Sequence, residues 1–266
     1  MAKKTEQAPT NFLHNRWILF IAGVLLLSGA YWLKQWPLLG FIALIPCFAL
    51  AEHPKANEKI WELTELLLFI FGISLYVGFQ FEIAKIFSVV GLALCFTLPF
   101  ILFVLSRIGG GPLTVNFLIV IYWLAVEYLL LKLLTALHLD PGTMPVFIAD
   151  LMMTRPEWLK WNLHAGYFAV SAWILISNWL GYLLISKPFR WIILILLVVV
   201  IASPIIYSLL ADTSGITRSD VISLYTTGLQ SDSAYSQYGE WIGRTSAWVS
   251  VLVLLFSMIR YKTKKK

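Results

Sequence analysis

Glu127 stands alone in an apolar run. Residues 119–134 are otherwise almost wholly hydrocarbon, and a carboxylate at that depth must face a helix bundle or a wet cavity. Such a group can meet a lipid headgroup, bind a proton or anchor a structural polar pair. Lys132 is five residues on, off the three- or four-residue spacing at which helical side chains meet, so a direct pair is not favoured. A second set, Arg155, Trp158, Lys160 and Trp161, gathers cations and indoles just ahead of an apolar run. Trp241 and Arg244 repeat that pairing before the last one. Indoles suit headgroup depth and the cations can reach phosphate. His164, next to Trp161, could sense pH or meet a headgroup, although a solvated histidine is the commoner case. It precedes Asn178 by 14 residues, close to four helical turns and so a similar face; Asn178 is expected to hydrogen-bond a neighbouring helix.

Other chemistries lack their residues. His138 with Asp140, and His53 with Glu52, have no neighbours that would complete a metal site or a catalytic triad. Gly109, Gly110 and Gly111 before Pro112 have no Lys-Ser/Thr after them, so they read as a flexible turn rather than a phosphate cradle. Cys47 and Cys95 both lie inside apolar spans and are expected to be buried free thiols. No metal and no cofactor is expected.

The elements that must position these residues are membrane helices. The chain has 266 residues, 59% hydrophobic and 13% charged, with mean hydropathy +0.80, far from ordinary globular composition. Apolar runs of spanning length recur at 17–33, 37–51, 61–79, 86–105, 113–134, 166–185, 191–210 and 245–258. The second and last are short for a crossing. The expected fold is an all-α membrane protein, a polytopic bundle of about eight transmembrane helices (17–260) between a cytoplasmic N-terminal tail (1–16) and a basic tail (261–266). The run 17–33 ends in Tyr31-Trp32-Leu33-Lys34 rather than in a small-residue cleavage site, so it is expected to stay as the first span.

With both termini cytoplasmic, that side carries 13 of the 20 Lys and Arg residues and the opposite side and the spans share 7, a positive-inside bias. The net charge of +6 is thus spread by topology rather than gathered on an aromatic face, which speaks against nucleic acid as a partner. The lysines of 261–266 read as an anchor at anionic headgroups. Two external loops are long enough to matter. Residues 135–165 combine Pro141, Gly142, Pro145 and Pro156 with an apolar patch at 144–153, which suits a partly inserted loop or an interfacial helix. Residues 211–244 are rich in Ser, Thr, Asp and Gly and read as exposed. A transporter or channel is disfavoured by one intramembrane carboxylate and no paired interrupted spans.

Four blocks, in order, carry a family resemblance. The segment 235–248 runs from polar through Tyr238 and Trp241 to Trp248 and directly into the last span. Residues 38–46 lead from Gly40 to Pro46, with Ala49-Leu50-Ala51-Glu52 following. Leu98-Pro99-Phe100 is followed by 122–129, where Trp123 and Glu127 stand a helical turn apart. Residues 156–161 precede a Gly166 start and an apolar run with Trp173 and Asn178. Together they resemble the membrane half of bacterial apolipoprotein N-acyltransferases, which attach a third acyl chain to lipoproteins. In that family a nitrilase-like Glu, Lys and Cys set sits on an α/β domain between the last two spans; the Cys attacks a phospholipid ester, the Glu takes the proton and the Lys supports the oxyanion. Here 211–244 has no Cys and no Lys and is too short for an α/β layer.

The resemblance therefore implies a non-catalytic protein of the bacterial cytoplasmic (inner) membrane, with no catalytic residues of its own. It would bind membrane phospholipid or a lipoprotein anchor, or serve another envelope membrane protein as a subunit. Contacts are expected at Glu127, Arg155, Trp158, Trp161, His164, Trp241 and Arg244. The alternative is the membrane half of a split acyltransferase, with the nitrilase-like part supplied in trans.

Overall fold

The computed structural model describes residues 13, 15–33, 35–108, 116–137, 147–152, 154–211 and 240–264, and of these leaves aside the side chains of Pro54, Leu163, His164 and Lys264. The described residues form helices and turns without a strand. In chain order they are α1 (Arg16–Trp32), α2 (Ile45–Glu52), α3 (Ile60–Gly78), α4 (Ile86–Ile108), α5 (Leu118–Ala136), α6 (Asn162–Ala165), α7 (Tyr167–Ser186), α8 (Trp191–Leu210) and α9 (Trp241–Lys264). Short 3₁₀ turns at Pro37–Phe41, Ile148–Met152 and Pro156–Trp158 complete the parts that matter below.

Six helices, α3, α4, α5, α7, α8 and α9, are long and apolar enough to cross a membrane. α1, at 17 residues, rises about 26 Å at ~1.5 Å per residue, a little short of a hydrocarbon core of roughly 30 Å. The stretch Pro37–Glu52 is shorter still. It is not one helix: a 3₁₀ turn, a turn at 42–44 and then α2 follow one another, with Pro37 and Pro46 each near a helix start. Proline fixes φ and offers no N–H, so it begins helical segments well and continues them poorly. The last span starts at Trp241 rather than near residue 245, so Trp241 and Arg244 belong to its first turn rather than to the preceding loop. Residues 113–115 of the expected fifth span, and 212–239 of the second loop, lie outside the described residues.

α1 packs on α3, α3 on α4, α4 on α5, and α5 on both α9 and α7. α2 sits inside this ring, against α1, α7 and α4, and its residues 46–51 are all buried. An aromatic block fills the centre: Trp123 lies 5.1 Å from Phe96, 5.7 Å from Phe71 and 5.9 Å from Phe100, ring centre to ring centre. α8 hangs outside, on α7 and the Pro156–Trp158 turn, with Ser208 its one buried residue.

Candidate functional site

Two interrupted segments meet in the core, and each leaves backbone groups that a bilayer interior cannot solvate. In the first, the turn after Pro37–Phe41 detaches Gly40 and Leu44 from any continuous helical ladder. Asn178 of α7 supplies both partners: its Nδ2 donates to the Gly40 carbonyl at 2.7 Å and its Oδ1 accepts from the Leu44 N–H at 2.7 Å. The same Nδ2 also donates to Ile174 O of its own helix at 2.9 Å. A carboxamide suits this place because it carries a donor and an acceptor on one rigid plane. The expectation of an interhelical hydrogen bond holds, and its partner is broken backbone rather than another side chain.

The second segment is Ile148–Met152, within the apolar patch of the loop between α5 and α7. It is inserted into protein: Phe147, Ile148, Ala149 and Met152 are fully buried. Glu127, midway along α5 and itself fully buried, holds its start. Glu127 Oε1 accepts from the Ile148 N–H at 2.7 Å and from Trp123 Nε1, one turn earlier on α5, at 2.9 Å. Asp150 closes the turn from within: Oδ2 accepts from the Phe147 N–H at 3.4 Å and Oδ1 from the Tyr167 hydroxyl at 2.8 Å. The Phe147 ring meets Tyr167 and Phe168 edge-on at 5.0 and 5.5 Å.

The two segments touch where Gly40 faces Met152 and Leu151; a Cβ on Gly40 would come within 2.9 Å of Met152 Cε. Both segments are closed in by protein rather than opened to a path, and the second, Ile148–Met152, is a 3₁₀ turn in a loop rather than an interrupted span. Around them lie hydroxyls and a carboxylate oxygen with unused capacity. Among the described residues Tyr31 Oη is buried without a hydrogen-bond partner, and Glu127 Oε2 and Ser171 Oγ have none beyond each other. Ser171 interacts with the Glu127 carboxyl, and Tyr31 feels the fields of Glu127 and Asp150. Lys132 takes no part: it pairs with Glu240 at 2.9 Å and lies 5.7 Å over the Tyr128 ring.

The cationic and aromatic cluster has structural employment. Pro204 inside α8 cannot bond the Val200 carbonyl, and Trp173 Nε1 from α7 donates to it instead at 2.6 Å. Trp161 stacks edge-on against Trp173 at 5.8 Å, and its backbone N–H donates to Ser208 Oγ at 3.3 Å. Ser208 Oγ in turn donates to Trp158 O at 3.0 Å, and Lys160 Nζ to Ala211 O at 2.7 Å. Arg155 is exposed and pairs with Glu157 at 3.4 Å. These contacts fasten α8 to the re-entering chain.

Trp241 and Arg244 belong to another neighbourhood. They lie on α9, where Arg244 pairs with Glu240 at 3.3 Å and Gly243 presses on Tyr128 of α5. The structure thus splits the expected contact residues into three: Glu127 in the core, Arg155, Trp158 and Trp161 at the foot of α8, and Trp241 with Arg244 at the start of α9. The His164 side chain lies outside the described residues. Asp150, Tyr167, Ser171 and Tyr31 were not expected as site residues, and Trp173 stood only in a resemblance block without a role; Asp150 inside an apolar patch was the one further signal there to find.

At the opposite end of the bundle Arg107 Nε donates to Asn57 Oδ1 at 2.7 Å, and the Tyr182 hydroxyl donates to Glu52 Oε2 at 3.4 Å. His53 accepts from the Lys55 N–H at 3.2 Å, a local cap. Cys47 is buried and Cys95 half-buried, both as free thiols, and the described residues hold no group of three metal-ligating side chains. No family model matches the chain, and neither a curated protein nor a solved structure matches it.

Proposed function

We propose that this chain is a non-catalytic scaffold of the bacterial cytoplasmic membrane, similar to the membrane half of an apolipoprotein N-acyltransferase. It holds a lipid or lipoprotein anchor, or seats a partner membrane protein. The observation that carries this reading is the contrast between core and rim. The core is locked by Asn178 and Glu127 around two interrupted segments, whereas α8 buries one of its 20 residues. A fixed core beside a nearly bare apolar helix is suited to offering surface rather than to moving a substrate. An apolar groove of about 440 Å³ between α3 and α4, lined by Leu68, Phe69, Ile73, Val90 and Leu94, adds room for an acyl chain.

In this reading α1 and Pro37–Glu52 also cross, giving eight crossings with both termini in the cytoplasm. Ion pairs and contacts at matching ends favour it: Arg16 pairs with Glu62 at one end of α1 and α3, and Tyr31 meets Gly78 at the other.

The test is affinity purification of the tagged chain in mild detergent, with photo-crosslinkers at Ile195 or Val199 of α8, followed by mass spectrometry of proteins and lipids. A retained lipoprotein or one envelope membrane protein crosslinked through α8 is the expected outcome. Acylation of a diacylated lipopeptide by the purified chain alone overturns the proposal, and a stoichiometric nitrilase-like partner replaces it with the split enzyme.

A further inference from the structure

A slot of about 430 Å³ opens between α4 and α9 at the end of the bundle opposite the re-entrant segment. Leu105, Ile108, Leu254 and Met258 give it apolar walls, and Ser106, Ser257, Tyr261 and Lys262 complete it. Ser257 is its unusual member. It is 4% exposed, and its hydroxyl has no hydrogen-bond partner among the described residues. Ser250, two turns earlier on α9, donates to the carbonyl of Ser246 at 2.7 Å, the ordinary solution for a serine in a membrane helix. Ser106 on the facing wall bonds both Leu102 O and the Tyr122 hydroxyl. Ser257 does neither, so a buried donor stands in an apolar slot with its acceptor still to be supplied.

Charge identifies the acceptor's owner. Lys262 follows Ser257 by five residues, about 7.5 Å along the helix axis at ~1.5 Å per residue, and it is exposed at the mouth. Arg260 and the lysines at 264–266 add positive charge to the same chain end. A cation at the mouth, a hydroxyl donor one glycerol length below it and an apolar wall beneath form the order of groups along a glycerophospholipid: phosphate, ester carbonyl, acyl chain.

We propose that the α4–α9 slot binds one anionic glycerophospholipid, with its headgroup phosphate at Lys262, an ester carbonyl accepting from Ser257 and an acyl chain along Leu105, Ile108, Leu254 and Met258. This site is separate from any client surface on α8 and stands if that reading fails.

The test is native mass spectrometry of the purified full chain with equimolar phosphatidylglycerol and phosphatidylethanolamine. The wild-type chain retains one phosphatidylglycerol with a preference of roughly fivefold, the factor that about one lysine near a headgroup provides. Lys262→Gln removes the preference. Ser257→Leu and Met258→Trp fill the slot with every charge intact and remove it too; Met258 is 59% exposed, so that variant folds even where Ser257→Leu does not. Equal retention of both lipids by the wild-type chain overturns the proposal. So does a preference that survives Met258→Trp, since the basic tail alone then explains it.

Discussion

Single side chains in this protein act mostly as substitutes for a missing helical ladder. Glu127 Oε1 serves two donors, Trp123 Nε1 and the Ile148 N–H, so what counts there is an acceptor rather than a charge. Glu127→Gln keeps a carbonyl oxygen at the same position and is expected to leave the thermal transition in detergent nearly unchanged. Glu127→Leu strands both donors in the core and is expected to cost about 2–6 kcal/mol at ~1–3 per unsatisfied group. A Gln variant as damaged as the Leu variant contradicts the acceptor role. Asn178→Leu likewise orphans Gly40 O and Leu44 N, and a loss of similar size is expected by steric trapping or denaturant titration. These are the two positions at which sequence reading went furthest: a carboxylate and a carboxamide in apolar helices had to be satisfied inside protein. Their partners were not legible, because Ile148, Gly40 and Leu44 are distant in sequence and offer only backbone.

At the level of elements, the helices owe their arrangement to close approaches and to repaired breaks. In α8 the carbonyl left over by Pro204 is taken up by Trp173. Trp173→Phe is expected to destabilise by about 1–3 kcal/mol, and by distinctly less in a Pro204→Ala background, where residue 204 can bond Val200 itself. The ring contacts of Trp173 with Phe41 and Trp161 are lost or kept equally in both backgrounds and cancel in the cycle. Equal costs in the two backgrounds refute the repair. α9 approaches α5 at Gly243, where a Cβ would lie 2.9 Å from Tyr128 Cβ, close to the backbone and unable to swing away. Gly243→Ala is expected to cost about 1–3 kcal/mol through a forced shift. Gly91→Ala, with open space around it, is expected to be near neutral in the same melt.

Over the whole molecule, alternation of helix direction follows from which ends meet. Lys132 near the end of α5 pairs with Glu240 before α9, while Leu105 and Ile108 near the end of α4 line a slot with Met258 and Lys262 near the end of α9. With eight crossings, single cysteines placed at Glu157 and at Lys262 in a chain lacking Cys47 and Cys95 are expected to react with an impermeant maleimide from opposite sides of the membrane, Lys262 from the cytoplasm. Labelling of both from one side rejects the eight-crossing topology.

Hydropathy is a local property, and the sequence by itself determined what depends on it. The span 191–210 coincides with α8, the other long spans agree within a few residues at each described end apart from α9, and the loop patch at 144–153 carried the composition of an inserted segment, which Ile148–Met152 is. α9 begins earlier than expected because Trp241, Ile242, Gly243 and Arg244 can continue a helix at the membrane–water boundary, where polar side chains remain solvated. Only the tertiary structure decided that Trp158 and Trp161 serve the foot of α8 and Arg155 pairs locally with Glu157, while Trp241 and Arg244 serve α9, and that Asp150 and Tyr167 complete what Glu127 begins. The reason is physical: a bilayer demands that every buried polar group be paired but does not specify with what. That choice depends on which backbone is broken and which helix lies beside it, and neither is written in the spacing of residues along one segment.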